Sequence, residues 1–268
     1  MAERKEYLEQ LKAWKDEQVI KVVTGIRRCG KSTLLSQYQQ QLKTTGITDE
    51  QIVSVNFEEL EYEELLDYRK LYSYLKERLC AEKTTYIFLD EIQKVPFFEK
   101  VVDSLYVKPN VDIYIIGSNA YMLSGDLATL LTGRYVEIKM LPLSFREFLC
   151  ITGMDAERGL AEYLRDGGLP YIAVMDRTAG KVEIYLEGIY NTVIVKDIED
   201  RQARKESNPD KRKITDILPR RQYDLGFSLE NIVYFELLRR GYRVMIGKVG
   251  STEVDFVAEK QGVYVYFQ

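Results

Sequence analysis

The first half of the chain alternates short apolar runs with segments in which apolar residues recur every three or four positions. Such runs are typical of buried strands, and the recurring spacing is typical of one helix face. Strand-like runs occupy residues 19–24, 52–57, 86–89, 111–116 and 135–140. The other segments predict helices at residues 4–17 (with Tyr7, Leu8, Leu11 and Trp14 on the apolar face), 32–43, 65–80 and 97–106. This alternation predicts an α/β fold, with a parallel sheet between two helix layers and ligands at the carboxyl ends of the strands.

The second half differs, because residues 143–195 show no convincing strand and suit several helices broken at glycines. The glycines are Gly153, Gly167, Gly168 and Gly188. Residues 196–213 are polar and charge-dense, which indicates a linker or an exposed helix end, with a nucleic-acid or partner contact at the basic end as the alternative. A further helix and a small second sheet are predicted at residues 228–240, 242–246, 253–258 and 263–267.

Composition narrows the classes of function. The chain has 268 residues and a net charge of −4, so bulk charge provides no general attraction to nucleic acid or to an anionic membrane. It contains no histidine, which excludes triads and metal sites built on imidazole. Three cysteines at unrelated spacings indicate reduced thiols in a cytoplasm. No apolar run approaches ~18 residues and the charged start is no signal peptide, so we expect no membrane segment.

Residues 25–32 match the phosphate-loop pattern G-x-x-x-x-G-K-[ST], between the first strand and its following helix. Glycines let backbone N–H groups turn toward phosphates, while Lys31 adds a cation at the β and γ oxygens and the Ser32 hydroxyl ligates Mg²⁺. Arg27 and Arg28 either add charge near the phosphates or face solvent, and Cys29 packs beside the loop. The sequence therefore predicts ATP and Mg²⁺ as cofactors. The expected binding residues are Gly25, Ile26, Arg27, Arg28, Cys29, Gly30, Lys31, Ser32 and Thr33.

Two adjacent carboxylates, Asp90 and Glu91, end the third predicted strand. Asp90 is expected in the Mg²⁺ shell, through water, and Glu91 is expected to polarise the water that attacks the γ-phosphate. The alternative is a helix N-cap beside a surface charge. One strand separates this pair from the phosphate loop, which fits the NTPase class with strand order 5-1-4-3-2 rather than the kinase-like and GTPase class.

Two further side chains are candidates for catalysis beside Lys31 and Glu91. Asn119, with Ser118 as the alternative, follows the fourth strand and could orient the water or sense the γ-phosphate. A simple turn explains the same residues. Arg134 precedes the fifth strand and could reach a γ-phosphate in the same or a neighbouring subunit, as arginine fingers do. An ion-paired surface arginine is the alternative.

A second, weaker candidate site lies near the end of the chain. Glu230, Asp255 and Gln268 are polar residues in apolar surroundings. A carboxylate within one strand and a polar residue that ends the next is a pattern of Mg²⁺ ligands in metal-dependent phosphodiesterases. Surface-facing strand residues give the same pattern, which therefore predicts a nuclease site only weakly.

Together these segments resemble a prokaryotic family of AAA-type ATPases, close to the STAND branch, with a C-terminal domain of unknown function. The resemblance extends over nearly the whole chain. It is carried by residues 24–35, 88–93, 117–119, 131–135, 141–148, 167–170, 230–242 and 253–257. It implies an ATPase core, a helical lid whose Pro170 lies against the adenine, and a C-terminal fold similar to restriction-endonuclease-like nucleases.

The chain departs from that family pattern in two places. Members have a winged-helix segment before the terminal domain, whereas about 15 residues separate Lys213 from Glu230 here. The nuclease pattern also requires a lysine two residues beyond Gln268. We therefore expect a binding-only terminal domain. The predicted domains are a P-loop ATPase domain (1–142), a helical lid (143–200), a charged linker or truncated junction (201–227) and an incomplete nuclease-like domain (228–268).

The predicted function is a cytoplasmic Mg²⁺-dependent ATP hydrolase that acts as a conformational switch, with ATP closing the lid and hydrolysis reopening it. The alternative is an ATP-gated nucleic-acid-binding or nuclease module in defence or mobile-element control. A non-hydrolysing ATP-binding protein is a third reading. ATP and ADP are the expected ligands. Weak, salt-sensitive nucleic-acid binding and a homo-oligomer stay open.

Overall fold

The computed structural model describes residues 4–117, 131, 133–177, 180–189, 225–249 and 252–267. The described residues divide into two compact units, one that extends to Pro142 and one that begins at Leu143. The strands, in chain order, are β1 (Ile20–Gly25), β2 (Ile52–Asn56), β3 (Thr85–Asp90), β4 (Val111–Ile116), β5 (Tyr135–Met140), β6 (Arg243–Val249), β7 (Thr252–Lys260) and β8 (Val263–Phe267).

The helices of the described residues cover both units. They are α1 (Lys5–Ala13), α2 (Lys31–Thr44), α3 (Tyr68–Glu77), α4 (Phe98–Tyr106), α5 (Phe145–Thr152), α6 (Ala156–Asp166), α7 (Pro170–Val174), α8 (Lys181–Ile189) and α9 (Leu225–Arg239). Short 3₁₀ turns occupy Asp49–Gln51, Leu60–Leu66 and Ile92–Lys94.

The first unit is built on a five-stranded parallel sheet of order β2-β3-β4-β1-β5. This confirms the predicted order 5-1-4-3-2. Because the strands are parallel, their carboxyl ends share one edge of the sheet. The carboxyl ends of β1 and β3 therefore both lie at that edge. The sequence pattern thus placed both halves of the expected site at one edge.

Alternating residues of β3 supply two separate cores. Ile87 and Leu89 pack into one apolar cluster, whereas Tyr86 and Phe88 pack into the other. Successive side chains of a strand point to opposite faces, so each face of the sheet is buried under its own layer. The first cluster includes residues of α3 and α4, and the second includes residues of α1 and α2. The result is the expected three-layer arrangement.

A buried ion pair joins the amino ends of β1 and β4, at the edge opposite the expected site. Lys21 pairs with Asp112, and both side chains are almost fully buried. Asp112 also accepts hydrogen bonds from the Asp16 backbone N–H at 2.9 Å and the Tyr114 hydroxyl at 3.0 Å. The Lys21 ammonium and these two hydrogen-bond donors therefore compensate the buried Asp112 charge together.

Replacing Lys21 by methionine is expected to lower the free energy of unfolding by about 3–5 kcal/mol, because Asp112 then stays buried without its cation. Urea denaturation monitored by circular dichroism measures the change. Lys43→Met is the matched control, since the Lys43–Asp49 pair is largely exposed and exposed pairs add little. Equal midpoints for the two variants would contradict the assignment.

Two of the boundaries that differ from those predicted have a clear physical reason. The first helix ends at Ala13, and Trp14 is 41% exposed rather than on the buried face, because the chain turns there toward β1. Helix α3 begins after Asp67, whose side chain caps it by accepting from Arg69 N and Lys70 N, and a 3₁₀ turn precedes it. Gly188 is the second-last residue of α8 as the structure describes that helix, Lys181–Ile189.

The second unit combines helices with an antiparallel sheet of order β6-β7-β8. Its described core is formed by Leu143, Phe148, Tyr163 and Ala173, with Ile232 of α9 packed against it. The helical segment and the terminal segment thus share one apolar cluster. No helix of the described residues in either unit has the length and apolar content needed to cross a bilayer.

Candidate nucleotide-binding site

The phosphate loop occupies the connection between β1 and α2. Gly25 has φ +150° and lies so close to β5 that a Cβ there would be 2.3 Å from the Met140 carbonyl oxygen. Gly30 is the left-handed N-cap of α2, and Arg28 also has a positive φ. The first turn of α2 contains no acidic residue of its own, so the helix itself adds no negative charge at the positive end of its dipole. Loop and helix together form an anion site.

The Lys31 side chain is buried within this loop. Its ammonium donates to the carbonyl oxygens of Gly25 and Ile26, each at 3.0 Å. Those backbone oxygens compensate a charge that would otherwise be costly to bury. The cation is thus held inside the loop at the carboxyl edge of the sheet, where phosphate oxygens are expected.

Asp90 ends β3 and reaches the first turn of α2. The Ser32 hydroxyl lies near its carboxylate. Burial raises the pKa of Asp90 above its ordinary value and the charge of Glu91 raises it further, whereas the Ser32 hydroxyl and the Lys31 ammonium act to lower this pKa. Within the described part of the chain, no donor lies within hydrogen-bond distance of its buried Oδ1. This oxygen is therefore available to a ligand, since buried polar atoms are rarely left without a partner.

These residues fit a divalent cation. Mg²⁺ prefers hard oxygen ligands and is usually bound through one carboxylate together with water and substrate phosphates. The Ser32 hydroxyl is exposed and adjacent to the Asp90 carboxylate. Ser32 and Asp90 are therefore the residues that would hold Mg²⁺, in agreement with the roles expected from the sequence.

Glu91 follows directly and has an unusual backbone. Its φ is +56°, in the left-handed region, and the residue is 8% exposed. The Gln93 side-chain amide donates to Glu91 Oε2. Since Glu91 contributes to the raised pKa of Asp90, the two carboxylates are close in space. The expected metal residue and the expected base are thus neighbours beside the phosphate loop.

The other residues of the phosphate loop differ in their exposure and in their contacts. Arg27 lies 3.9 Å from Glu58, with both side chains partly exposed. Arg28 and Ile26 are exposed, and Thr33 is half-buried in the first turn of α2. The two arginines thus remain candidates for contacts with phosphate.

Cys29 is fully buried, and burial raises the pKa of its thiol. A thiol reacts as its thiolate, so we expect Cys29 to resist thiol reagents until the protein unfolds. Cys150 is exposed and Cys80 is half-buried. Absorbance with Ellman's reagent, in a Cys80→Ser/Cys150→Ser protein with and without urea, measures the rate for Cys29. Rapid labelling without urea would show that the loop opens freely.

Arg134 is not brought to this site within its own chain. It precedes β5, so it lies at the amino edge of the parallel sheet, opposite the phosphate loop. Its guanidinium is 3.7 Å from Asp103 and lies over the Tyr106 ring at 5.4 Å. This geometry gives no support to a role within the same subunit, and the role of Arg134 at a γ-phosphate stays a prediction.

Several predicted residues are not placed at the site. Asn119, Ser118 and Gln268 lie outside the described residues. Pro170 is the first residue of α7 in the second unit, and its contact with adenine stays a prediction.

The second candidate site gains no support from geometry. Glu230 is exposed on α9, and Asp255 is half-buried on β7. Among the described residues, no group of three or more acidic or cysteine side chains is placed to hold a metal ion. A nuclease metal site at Glu230 and Asp255 therefore stays a prediction.

Two residues that the sequence reasoning missed support the phosphate loop. The buried Arg4 guanidinium donates to the Cys29 carbonyl oxygen at 3.4 Å and to the Leu141 carbonyl oxygen at 2.8 Å. Tyr7 accepts from the Leu141 backbone N–H at 3.0 Å. Helix α1 thus fastens the loop to the chain that follows β5. A charged residue at the start of a surface helix gives no such signal in sequence.

Several known proteins are similar to this chain. Residues 17–149 match a family described as AAA domain. An uncharacterized protein of Haemophilus influenzae is 35% identical, over 100% of this chain and 86% of that protein. Uncharacterized protein MJ1544 of Methanocaldococcus jannaschii is 31% identical, over 66% of this chain and 42% of that protein. A solved structure, the Walker-type ATPase PABY2304 of Pyrococcus abyssi, has a TM-score of 0.49 and 18% identity, over 76% of each chain.

The alignment with the Haemophilus protein is longer than this chain. It spans 347 residues, whereas this chain has 268. The relative therefore carries residues within the aligned span that have no counterpart here.

Proposed function

We propose that this chain, which belongs to the AAA-type P-loop ATPase family, binds ATP with Mg²⁺ and hydrolyses it as a conformational switch. One observation carries the proposal. Lys31, Ser32 and the Asp90 Oδ1 atom, which has no hydrogen-bond partner among the described residues, converge at one edge of the sheet. A phosphate loop alone suits many nucleotide ligands, but a cation, a hydroxyl and a buried carboxylate together suit a metal-bound triphosphate.

Each residue then has a defined task. Lys31 attracts the β and γ oxygens, and the backbone N–H groups of residues 26–30 surround them. Ser32 and Asp90 would hold Mg²⁺, which supplies charge neutralisation on the phosphates. Glu91 accepts a proton from water as the water oxygen bonds to the γ-phosphorus. The bond from that phosphorus to the bridging oxygen breaks, and ADP leaves with the electron pair.

The assignments of subtype, terminal domain and location are also proposals, and each rests on fewer observations than nucleotide binding does. A STAND-like subtype and a restriction-endonuclease-like terminal domain rest on the sequence resemblance. We place the missing winged-helix segment at the short junction before α9, where the sequence resemblance puts it. The longer aligned span of the Haemophilus relative supports a missing segment but does not locate it. The terminal domain binds a partner rather than cleaves nucleic acid, since the exposed Glu230 is not a buried metal ligand. Three free thiols fit a cytoplasmic, reducing location.

One assay tests this function and its alternatives together. Phosphate release is measured across protein concentration, with and without duplex DNA. Mg²⁺-dependent release supports the proposal, a rise in specific activity with concentration indicates an arginine supplied in trans, and stimulation by DNA favours the nucleic-acid-gated alternative. Absence of release at every concentration, with ATP bound, would leave a non-hydrolysing ATP-binding protein.

A further inference from the structure

Gln93 has a polar side chain beside the site. The hydrolysis mechanism proposed above gives this side chain no role. It lies in the 3₁₀ turn Ile92–Lys94 that follows the two carboxylates. Its Nε2 donates to Glu91 Oε2. Its Oε1 is buried and, within the described residues, has no hydrogen-bond partner. One end of the amide is thus engaged with the expected base, and the other end is an unused acceptor.

The backbone fixes where this amide lies. Glu91 has a left-handed φ of +56°, a conformation that is costly outside glycine and that surrounding structure must enforce. The Lys94 N–H donates to the Glu91 carbonyl oxygen at 3.1 Å, which closes the turn. Lys94 Nζ donates to the Phe57 carbonyl oxygen at 3.2 Å, and Phe57 N–H donates to the Asp90 carbonyl oxygen at 3.1 Å. The turn is thereby tied to the neighbouring strand end.

The chemistry of the amide suits this placement. An N–H donor fixes the rotation of the carboxylate it contacts. The remaining carbonyl oxygen needs a donor, because buried acceptors are rarely left without one. A water molecule that gives one hydrogen to Glu91 has a second hydrogen to place. Gln93 Oε1 is an acceptor without a partner among the described residues, and its own amide N–H already contacts the Glu91 carboxylate.

We propose that Gln93 is a positioning residue for ATP hydrolysis, which holds the Glu91 carboxylate through its amide N–H and accepts the second hydrogen of the attacking water through Oε1. The inference rests on the hydrolysis proposed above. Gln93 forms no bond with the nucleotide and accepts no proton in the reaction. Its contribution is to aim the oxygen lone pair of water at the γ-phosphorus.

The test compares Gln93→Ala and Gln93→Glu with Gln39→Ala. Gln39 is also half-buried, but it donates to Ser54 on the surface of the same unit. We expect both Gln93 variants to lower kcat by roughly 10–100-fold, as misplacement of reacting groups does. The dissociation constant of fluorescent ATP and the thermal midpoint should match those of Gln39→Ala. Gln93→Glu is informative because it keeps size and an acceptor but lacks the donor.

A double variant separates positioning from a structural role. In Glu91→Gln protein, adding Gln93→Ala should lower the single-turnover rate by a smaller factor than it does in the wild-type protein, because the carboxylate that the amide orients is already gone. An equal kcat for Gln93→Ala and wild type, fully independent losses in the double variant, or parallel losses of stability and ATP affinity would each overturn the inference. If wild type releases no more phosphate than Glu91→Gln, hydrolysis itself fails, and this inference falls with it.

Discussion

Glu91→Gln is expected to lower kcat for ATP hydrolysis by roughly 10²–10⁴-fold while the dissociation constant of ATP stays close to that of wild type. The amide has the size of the carboxylate but accepts no proton from water, so the chemical step is slowed and the binding contacts of Lys31 and Ser32 remain. Malachite-green phosphate release measures kcat, and calorimetric titration measures binding.

Glu77→Gln is the matched control for that prediction. Glu77 lies at the end of α3 and is exposed, so the same loss of charge should leave kcat unchanged. A Glu91→Gln protein that hydrolyses ATP at the wild-type rate would remove Glu91 from the mechanism, and the base would have to be sought among residues outside the described ranges.

Lys31→Met is expected to weaken ATP binding by roughly 100-fold or more, because truncating one partner of a desolvated charge pair costs about 2–5 kcal/mol. The Lys31 ammonium is buried against the Gly25 and Ile26 carbonyl oxygens. No other cationic side chain of α2 occupies this position. Fluorescence anisotropy of a labelled ATP analogue measures the dissociation constant.

Lys43→Met provides the comparison at the other end of the same helix. Its exposed ion pair with Asp49 is far along α2 from the loop, and we expect wild-type affinity. Equal affinities for Lys31→Met and Lys43→Met would show that nucleotide binds elsewhere or not at all.

The sheet order and the principal site residues could be predicted because they depend on short-range pattern. The apolar runs gave the strands, and the phosphate loop and the Asp90–Glu91 pair each follow a strand end. In a parallel sheet these ends share one edge, so Ser32 and Asp90 could be expected to meet without knowledge of the side-chain packing.

Other features depend on tertiary contacts that a local pattern does not contain. Arg4 reaches Leu141, a residue 137 positions later in the chain. Gln93 contacts Glu91 only because the chain turns through a left-handed residue. Trp14 satisfies the helical repeat but follows the last helical residue, since the chain must turn into β1. Arg134 has the expected residue type but lies at the opposite sheet edge.

Isothermal titration of ATP into the wild-type chain, first with Mg²⁺ and then with EDTA, tests the central claim most directly. The arrangement of Lys31, Ser32 and Asp90 predicts one saturable site per chain, with an affinity that falls when the metal is removed. Absence of saturable heat in the presence of Mg²⁺ would contradict the account.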